Sequence, residues 1–208
     1  MRFLITAGGT REYIDPVRFV SNASSGRMGY ALARAALQHG HDVVLITAPT
    51  LLAPPTGARV VAAESSQEMF KAVKARFDRC DCLIMAAAVT DYRPVRRAAQ
   101  KLKKGRGLLT LRLKPTVDIL KWAGMHKRPG QVLVGFALED RSVLAAAQRK
   151  LVEKRLDMIV ANTPAAIGRD RSSVDILTAD GRRLGIDEQS KQLTARRIIR
   201  MACELAKA

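Results

Sequence analysis

One short stretch of the sequence, residues 22–29, combines groups that suit the binding of a phosphate. Ser24, Ser25 and Gly26 come directly before a segment with the period of a helix. The first turn of a helix has unpaired N–H groups and a partial positive charge, and hydroxyl groups can donate further hydrogen bonds to an anion. We therefore interpret these residues as a phosphate site. The alternative is structural, with Ser24 or Ser25 as a simple N-cap.

A second loop, Gly8-Gly9-Thr10, follows the apolar segment Arg2–Ala7. Its glycines allow a ligand to approach the backbone at the carboxyl edge of a sheet. A dinucleotide fingerprint would place G-x-G-x-x-G in one tight turn, whereas here about eighteen residues separate the apolar segment from Gly26. This spacing argues against an NADP-dependent Rossmann oxidoreductase, which is kept as the third hypothesis.

Small residues and one carboxylate follow another apolar segment, at residues 86–94. Ala87 and Ala88 would let a base or sugar lie against the backbone, and Asp91 could accept a hydrogen bond from a hydroxyl or amine. The stretch predicts a flat-walled pocket. The alternative is a buried strand end at which Asp91 caps a turn.

Lysines form two further groups. Lys101, Lys103 and Lys104 lie in a basic stretch that could close as a lid over a triphosphate, or could be an ordinary solvated loop. Lys150 and Lys154 are one helical turn apart, so they share a face that could reach phosphates or simply face water.

The charge balance points to anionic partners. The chain has 36 Lys and Arg residues against 19 Asp and Glu residues, a formal net charge of +17. A non-catalytic nucleotide-binding or nucleic-acid-binding module is therefore the second hypothesis. Five Phe, three Tyr and one Trp are too few for an evident base-stacking platform, so small polyphosphates are equally open as partners. We expect small-molecule substrates and no nucleic acid. The apolar runs are too short for a membrane span.

The cysteines and the N-terminus indicate a reducing compartment. Cys80, Cys82 and Cys203 give no even-numbered disulfide framework. We expect Cys80 and Cys82 to share one face of a strand as small core residues, and we expect no resident metal. Residues 1–7 read as a strand and not as a signal peptide, so a cytoplasmic protein is expected.

Short apolar segments alternate with segments of helical period, which is typical of repeated βαβ units. The predicted fold class is α/β, with a Rossmann-like, mostly parallel sheet flanked by helices, in a single domain over 1–208. Predicted strands are 2–7, 42–47, 82–87, 131–137 and 157–161, and predicted helices are 26–38, 67–77, 141–154 and 190–207. A flexible lid at about 93–107, a strand at 109–113 and a C-terminal hairpin of 174–178 and 182–186 complete the prediction.

These motifs resemble the phosphopantothenate-cysteine ligase family, also called phosphopantothenoylcysteine synthetases. The opening motif is matched by GGTRE, IDPVR and NASSGRMG, and the further matches are 86–94, 101–104, 116–120, 134–137 and 157–162. Together they span most of the chain.

The resemblance implies a ligase of coenzyme A biosynthesis. Such an enzyme activates the carboxylate of 4′-phosphopantothenate with a nucleoside triphosphate, usually CTP in bacteria, and joins the acyl-nucleotide intermediate to cysteine. By the same resemblance, Asn22 would hold the acyl carbonyl, Arg18 would support that loop and a homodimer contact, and Lys101 would be the lid lysine. The implied nucleotide-site residues are Gly8, Gly9, Thr10, Ser24, Ser25, Gly26, Ala87, Ala88, Asp91, Val117, Asp118, Ile119, Phe136, Lys150 and Lys154.

The residue types agree with this chemistry. A carboxylate and a triphosphate repel each other, so bringing them together requires cationic side chains and a Mg²⁺ ion carried on the phosphates. The second step requires only a neutral cysteine amine held against an activated carbonyl. No nucleophilic side chain is needed.

The sequence departs from the family at a few positions. Tyr13 replaces a frequent proline, Arg27 a lysine and Thr90 an alanine, while Leu138 and Asp140 flank the glutamate of an Ala-Glu-Thr motif. The last two leave the choice between CTP and ATP open. Because the ligase motif begins at Met1, we expect a stand-alone ligase domain without the flavin-dependent decarboxylase domain that precedes it in many bacterial members.

Overall fold

The computed structural model describes residues 1–139, 142–163 and 169–207. The strands are β1 (Arg2–Ala7), β2 (Arg11–Tyr13), β3 (Phe19–Ser21), β4 (Asp42–Thr47), β5 (Arg59–Ala62), β6 (Cys82–Met85), β7 (Tyr92–Pro94), β8 (Leu113–Pro115), β9 (Val132–Leu138), β10 (Met158–Asn162), β11 (Arg171–Thr178) and β12 (Arg183–Ser190). The helices are α1 (Arg27–Gln38), α2 (Ser66–Phe77), α3 (Ile119–His126), α4 (Val143–Glu153) and α5 (Lys191–Leu205).

The centre of the fold is an eight-stranded sheet in the order β12-β11-β10-β9-β6-β1-β4-β5. Six neighbouring strands are parallel, in the order β10-β9-β6-β1-β4-β5. Strands β11 and β12 add an antiparallel hairpin at the β10 edge. The predicted fold class is confirmed. The inner strands are apolar along their length because helices cover both faces of the sheet.

The two faces of the sheet form two core layers. Phe3 and Ile5 of β1 pack with α1 and α5, whereas Leu4 packs with α2 and α3 on the other side. This division follows from the alternation of side chains along a strand. The shared face predicted for Cys80 and Cys82 is wrong: they lie in different layers, because β6 begins at Cys82 and the alternation does not reach Cys80.

Two short ribbons leave the sheet after β1 and after β6. One pairs β2 with β3, and the other pairs β7 with β8. The predicted strand at 109–113 is misplaced, since β8 covers only its last residue. The exposed leucines at 109 and 111 have no neighbouring strand to cover them.

The five predicted strands and four predicted helices are present, with described ends shifted by at most two residues. The hairpin is present and longer than predicted. Asp140 and Arg141 lie outside the described residues, as does Ala208. Within the described ranges, no helix has both the length and the apolar character that a membrane crossing requires.

Candidate functional site

The loops after β1 and β6 are hydrogen-bonded to each other. The N–H of Ala88 donates to the carbonyl of Gly8 at 2.8 Å, and the N–H of Thr10 donates to the carbonyl of Ala88 at 3.2 Å. These bonds extend the parallel pairing of the two strands beyond the sheet. The carboxyl ends of parallel strands meet at one edge, which is where open α/β sheets bind ligands.

A buried polar network fixes the same junction. The hydroxyl of Thr10 accepts the N–H of Thr90 at 2.9 Å, and the hydroxyl of Thr90 donates to Glu12 at 3.2 Å. Glu12 also accepts the N–H of Ser66 at 2.8 Å, at the start of α2. The hydroxyl of Thr10 is thus engaged within the protein, and Thr90 takes part through a hydroxyl that the alanine expected from the resemblance would lack.

The stretch 22–26 lies directly on the two glycines of the first loop. A Cβ atom at Gly9 would come within 2.7 Å of the carbonyl oxygen of Asn22, and one at Gly26 within 3.3 Å of the Cα atom of Gly8. Only residues without a Cβ allow this approach. The two glycine-containing loops predicted from the sequence, residues 8–10 and 22–26, therefore form one surface, which we call the glycine surface.

Helix α1 begins at this surface without a side-chain cap. Its N-cap is Gly26 in the left-handed region with φ 76°, and no side chain accepts a hydrogen bond from the first turn. The interpretation of Ser24 or Ser25 as a simple N-cap is therefore wrong. Ser25 is exposed, and the hydroxyl of Ser24 accepts only from the N–H of Gly26 at 3.4 Å.

Cationic groups surround the start of α1. Arg27 forms an ion pair with Asp170 at 2.7 Å, and the backbone N–H of Lys191 donates to the carbonyl of Asp170 at 3.0 Å. The ammonium of Lys191 also donates to the carbonyl of Arg169. Partial burial lowers the pKa of Lys191, and the nearby charge of Arg27 lowers that pKa further. This lysine did not emerge from the sequence, because the fold brings it from the far end of the chain.

Asn22 reaches across to the second loop. Its exposed side-chain amide donates to the carbonyl of Val89 at 3.2 Å. This places Asn22 between the glycine surface and the loop after β6.

A cleft of about 220 Å³ opens on the other side of that loop. It brings together eight residues predicted for the nucleotide site: Ala87, Asp91, Val117, Asp118, Ile119, Phe136, Lys150 and Lys154. Asp91 is exposed, and its backbone carbonyl accepts the N–H of Thr116 at 2.8 Å. Ala88 belongs to the glycine surface and not to the lining of the cleft.

Both lysines of the cleft are paired with carboxylates. Lys150 lies 2.6 Å from Glu139, and Lys154 lies 2.8 Å from Asp118. Asp118 also accepts the N–H of Lys121 at 2.9 Å as the N-cap of α3. Burial alone would raise the pKa of Asp118, but Lys154 and the N–H of Lys121 outweigh burial and lower that pKa. Neither lysine simply faces water.

Lys101 is exposed and contacts neither the glycine surface nor the cleft. Its neighbour Leu102 is held by Asp15 and Arg18, in the turn that precedes Asn22. Among the described residues, no three His, Cys, Asp or Glu side chains are grouped as metal ligands. The geometry thus has two joined halves, the surface formed by the two glycine-containing loops at the start of α1 and a cleft with paired charges, beside the basic stretch that contains Lys101.

Comparisons with known proteins find matches that cover nearly the whole chain. Residues 1–205 match the family model described as DNA/pantothenate metabolism flavoprotein C-terminal domain. The coenzyme A biosynthesis bifunctional protein CoaBC of Bacillus subtilis is 44% identical over 209 residues, covering 98% of this chain and 51% of that protein. A cysteine/cysteine sulfinic acid decarboxylase of an unknown prokaryotic organism is 43% identical, covering 85% of this chain and 50% of that protein.

The structural comparison agrees. The crystal structure of the C-terminal domain of a CoaBC protein superposes with a TM-score of 0.85 at 39% identity, covering 100% of this chain and 96% of that one. The chain spans about half the length of the curated relatives it matches. Because the match extends from the first strand to the last helix, this chain belongs to the DNA/pantothenate metabolism flavoprotein C-terminal domain family.

Proposed function

We propose that this chain is a phosphopantothenate-cysteine ligase that acts in coenzyme A biosynthesis. It activates the carboxylate of 4′-phosphopantothenate with CTP to give an acyl-cytidylate and pyrophosphate, and then joins the acyl group to the amine of cysteine. The decarboxylase name of one relative belongs to a protein of which the match covers only 50%, so the name alone does not tell which half carries out that reaction.

The observation that carries this proposal is the position of one loop, residues 86–91, between the two halves of the site. On one side it holds Thr10 and Asn22 through the carbonyls of Ala88 and Val89. On the other side, Ala87 and Asp91 line the cleft. The resemblance implies that the two glycine-containing loops belong to the nucleotide site. We propose instead that the acid substrate lies on them, where it would meet a nucleotide in the cleft across residues 86–91, as acyl-nucleotide formation requires.

The positive charges around the site favour bringing the acid substrate and the nucleotide together. A carboxylate attacking the α-phosphate of CTP brings two anions together, and the basic lid and the uncapped start of α1 supply compensating positive charge. In this proposal the amide of Asn22 holds the acyl carbonyl, and its hydrogen bond to the carbonyl of Val89 supports that role by keeping it beside residues 86–91. The second step needs no side-chain nucleophile, which agrees with a site in which no cysteine takes part.

Mg²⁺ would be carried on the triphosphate. The cleft offers Asp91 as an exposed carboxylate that could contact such an ion, while Asp118 is engaged with Lys154. The ion would supply neutralisation of phosphate charge. CTP is proposed over ATP only because the chain resembles a family that usually uses CTP in bacteria. Leu138, which departs from the family's motif, leaves that choice open, so the nucleotide panel below decides between them.

The deciding experiment follows each product. Pyrophosphate should be released from CTP only when 4′-phosphopantothenate is present, and CMP should appear when cysteine is added. ATP and the other nucleoside triphosphates, run in parallel, give the preferred base. If no nucleoside triphosphate releases pyrophosphate, the proposed function is wrong.

The two alternative functions predict different results. A nucleic-acid-binding module would bind oligonucleotides tightly and lose that affinity steeply between low and moderate salt, without turnover. An NADP-dependent oxidoreductase would bind NADPH saturably, which a fluorescence titration detects.

Replacing Asn22 with aspartate should separate the two steps. The carboxylate would repel the developing oxyanion on the acyl carbonyl during amide formation, so we expect amide formation to slow at least about a hundredfold. Pyrophosphate release should continue, and the acyl-cytidylate should accumulate and be detectable by mass spectrometry. Equal loss of both steps would assign Asn22 to the first step or to folding instead.

The protein is also proposed to be a homodimer. Apolar side chains are exposed on the two ribbons and beside them, with Val17 58%, Tyr92 55% and Val95 47% exposed. Strands β2 and β7 of the two ribbons lie against each other, so these exposed side chains are on neighbouring ribbons that a second copy could cover.

A charge placed in this patch should dissociate the dimer. We expect Val17→Asp to sediment as a monomer at concentrations at which the unmodified protein sediments as a dimer. The control is Leu51→Asp, which changes a fully exposed leucine outside the ribbons and should leave the mass unchanged. Sedimentation of the unmodified protein as a monomer would contradict the dimer.

A further inference from the structure

The turn between β2 and β3 contains a buried carboxylate that the proposed reaction does not use. The side chain of Asp15 is fully buried. Its Oδ1 atom accepts the N–H groups of Val17 and Arg18, each at 2.8 Å, and its Oδ2 atom accepts from the Arg18 guanidinium at 2.6 and 2.9 Å. Burial alone would raise the pKa of Asp15, but these hydrogen bonds hold the pKa well below its usual range. Asp15 is therefore an ionised and firmly held group.

This ion pair also holds one residue of the lid. The backbone N–H of Leu102 donates to Oδ2 of Asp15 at 3.1 Å, and the backbone carbonyl of Leu102 accepts from the guanidinium of Arg18. Both polar backbone groups of Leu102 are thus bound by Asp15 and Arg18, which we call the lid clamp. Leu102 stands directly between Lys101 and Lys103.

The attachment of the lid ends at the clamp. Before it, the N–H of Ala98 donates to the carbonyl of Ile14 at 2.8 Å, and the guanidinium of Arg97 lies 4.8 Å from the ring centre of Tyr13. After it, residues 103–111 are all exposed and form no hydrogen bond with the rest of the described chain. The lid therefore changes from attached to unattached at Leu102.

We propose that Asp15 is a positioning residue for the nucleotide cover. With Arg18 it fixes the lid at Leu102, so that Lys101 keeps a constant place beside the site and the part of the lid that moves begins at Lys103. This inference rests on the proposed function, because it concerns the lid of the same site. The proposal gives Lys101 a fixed position and places Lys103 and Lys104 in the moving part of the lid, although the three lysines form one cluster in the sequence.

Limited trypsin digestion of the full chain tests the clamp without any nucleotide. In the unmodified protein, cleavage after Lys104 should be much faster than cleavage after Lys101, because a protease needs a locally free backbone. In Asp15→Asn the amide keeps the shape but offers one acceptor oxygen instead of two. We expect cleavage after Lys101 to become at least about tenfold faster, as the loss of a hydrogen bond to a charged group would give. Cleavage after Lys104 should stay within about twofold.

A second variant tests whether misfolding of the turn, and not loss of the clamp, explains the result for Asp15→Asn. Arg18→Lys keeps the positive charge and leaves the backbone donors to Asp15 in place, but it removes the fork that reaches both Asp15 and Leu102. It should give the same selective increase in cleavage after Lys101. The matched control, Asp78→Asn, makes the same chemical change at an exposed aspartate after α2 and should change neither cleavage rate.

Kinetics provide the second readout. Both clamp variants should lower kcat for pyrophosphate release by about tenfold and raise the KM for the nucleotide less, because a misplaced Lys101 stabilises the transition state less well. Unchanged cleavage after Lys101 in both variants would overturn the clamp, whatever the activity. Selective cleavage after Lys101 with no ligase turnover in the unmodified protein would support the clamp and reject the proposed function.

Discussion

Replacing Lys101 with glutamine should lower the release of pyrophosphate from CTP at least about a hundredfold, the usual cost of removing a group that stabilises charge in a transition state. Glutamine has nearly the length of lysine without its charge, so the loss would report electrostatics and not packing. Lys101 is exposed, so the change should leave folding intact. Pyrophosphate release with 4′-phosphopantothenate present, and cysteine absent, measures the first step alone.

Lys103→Gln is the matched control for this prediction. It removes the same charge two residues away, beyond Leu102, where the lid is unattached. Its effect should stay below about tenfold, since a mobile, solvated lysine contributes less to a fixed charge than a positioned one. Equal losses in the two variants would mean that the summed positive charge of the lid, and not one particular lysine, stabilises the phosphates.

Replacing Gly29 with alanine should destabilise the protein by about 1–3 kcal/mol, the range for overpacking a tight core. An added Cβ would lie 2.5 Å from the Cβ atom of Ala7 and 2.8 Å from the carbonyl oxygen of Thr6. Both contacts lie on β1, so α1 would have to move away from the strand. Urea unfolding measures the stability. If the first turn of α1 binds a substrate anion, as the proposed function implies, the displaced helix should also weaken that binding.

Gly105→Ala gives the corresponding control. A Cβ atom there meets nothing within 4 Å, and its backbone needs no positive φ. The unfolding free energy should change by less than about 0.5 kcal/mol, as expected at a surface position. If Gly29→Ala also changed the unfolding free energy by less than about 0.5 kcal/mol, the close contact between α1 and β1 would not fix the position of residues 22–26.

The parts of the fold that could be predicted are those whose local pattern and tertiary environment agree. The inner parallel strands are buried on both faces, so their apolar runs stand out in the sequence. Strand β5 was missed because its residues are partly exposed at the sheet edge and follow a stretch rich in Pro and Gly. Helix α3 was not predicted, although Asp118 is a typical N-cap residue, because a helix of eight residues is too short for its period to stand out in the sequence.

The candidate site was predictable to the extent that its residues are local in sequence. The eight cleft residues were named from motifs, and the structure places them together. The carboxylate partners of the two lysines were not predicted as partners, since Glu139 and Asp118 meet α4 only through the packing of three separate elements. The clamp on Leu102 has the same origin, because a contact between residues 15 and 102 leaves no periodic signal.

The buried threonine pair at the junction of the two loops limits how this sequence can change during evolution. Alanine at position 90, the common choice among relatives by resemblance, would leave the hydroxyl of Thr10 and the carboxylate of Glu12 each short of one bonding partner in a dry interior. Replacement of Thr90 by alanine is therefore costly here. Because Thr10 and Glu12 belong to the GGTRE motif that the chain shares with the family it resembles, we expect the bonding partner at position 90 to vary among lineages more readily than positions 10 and 12.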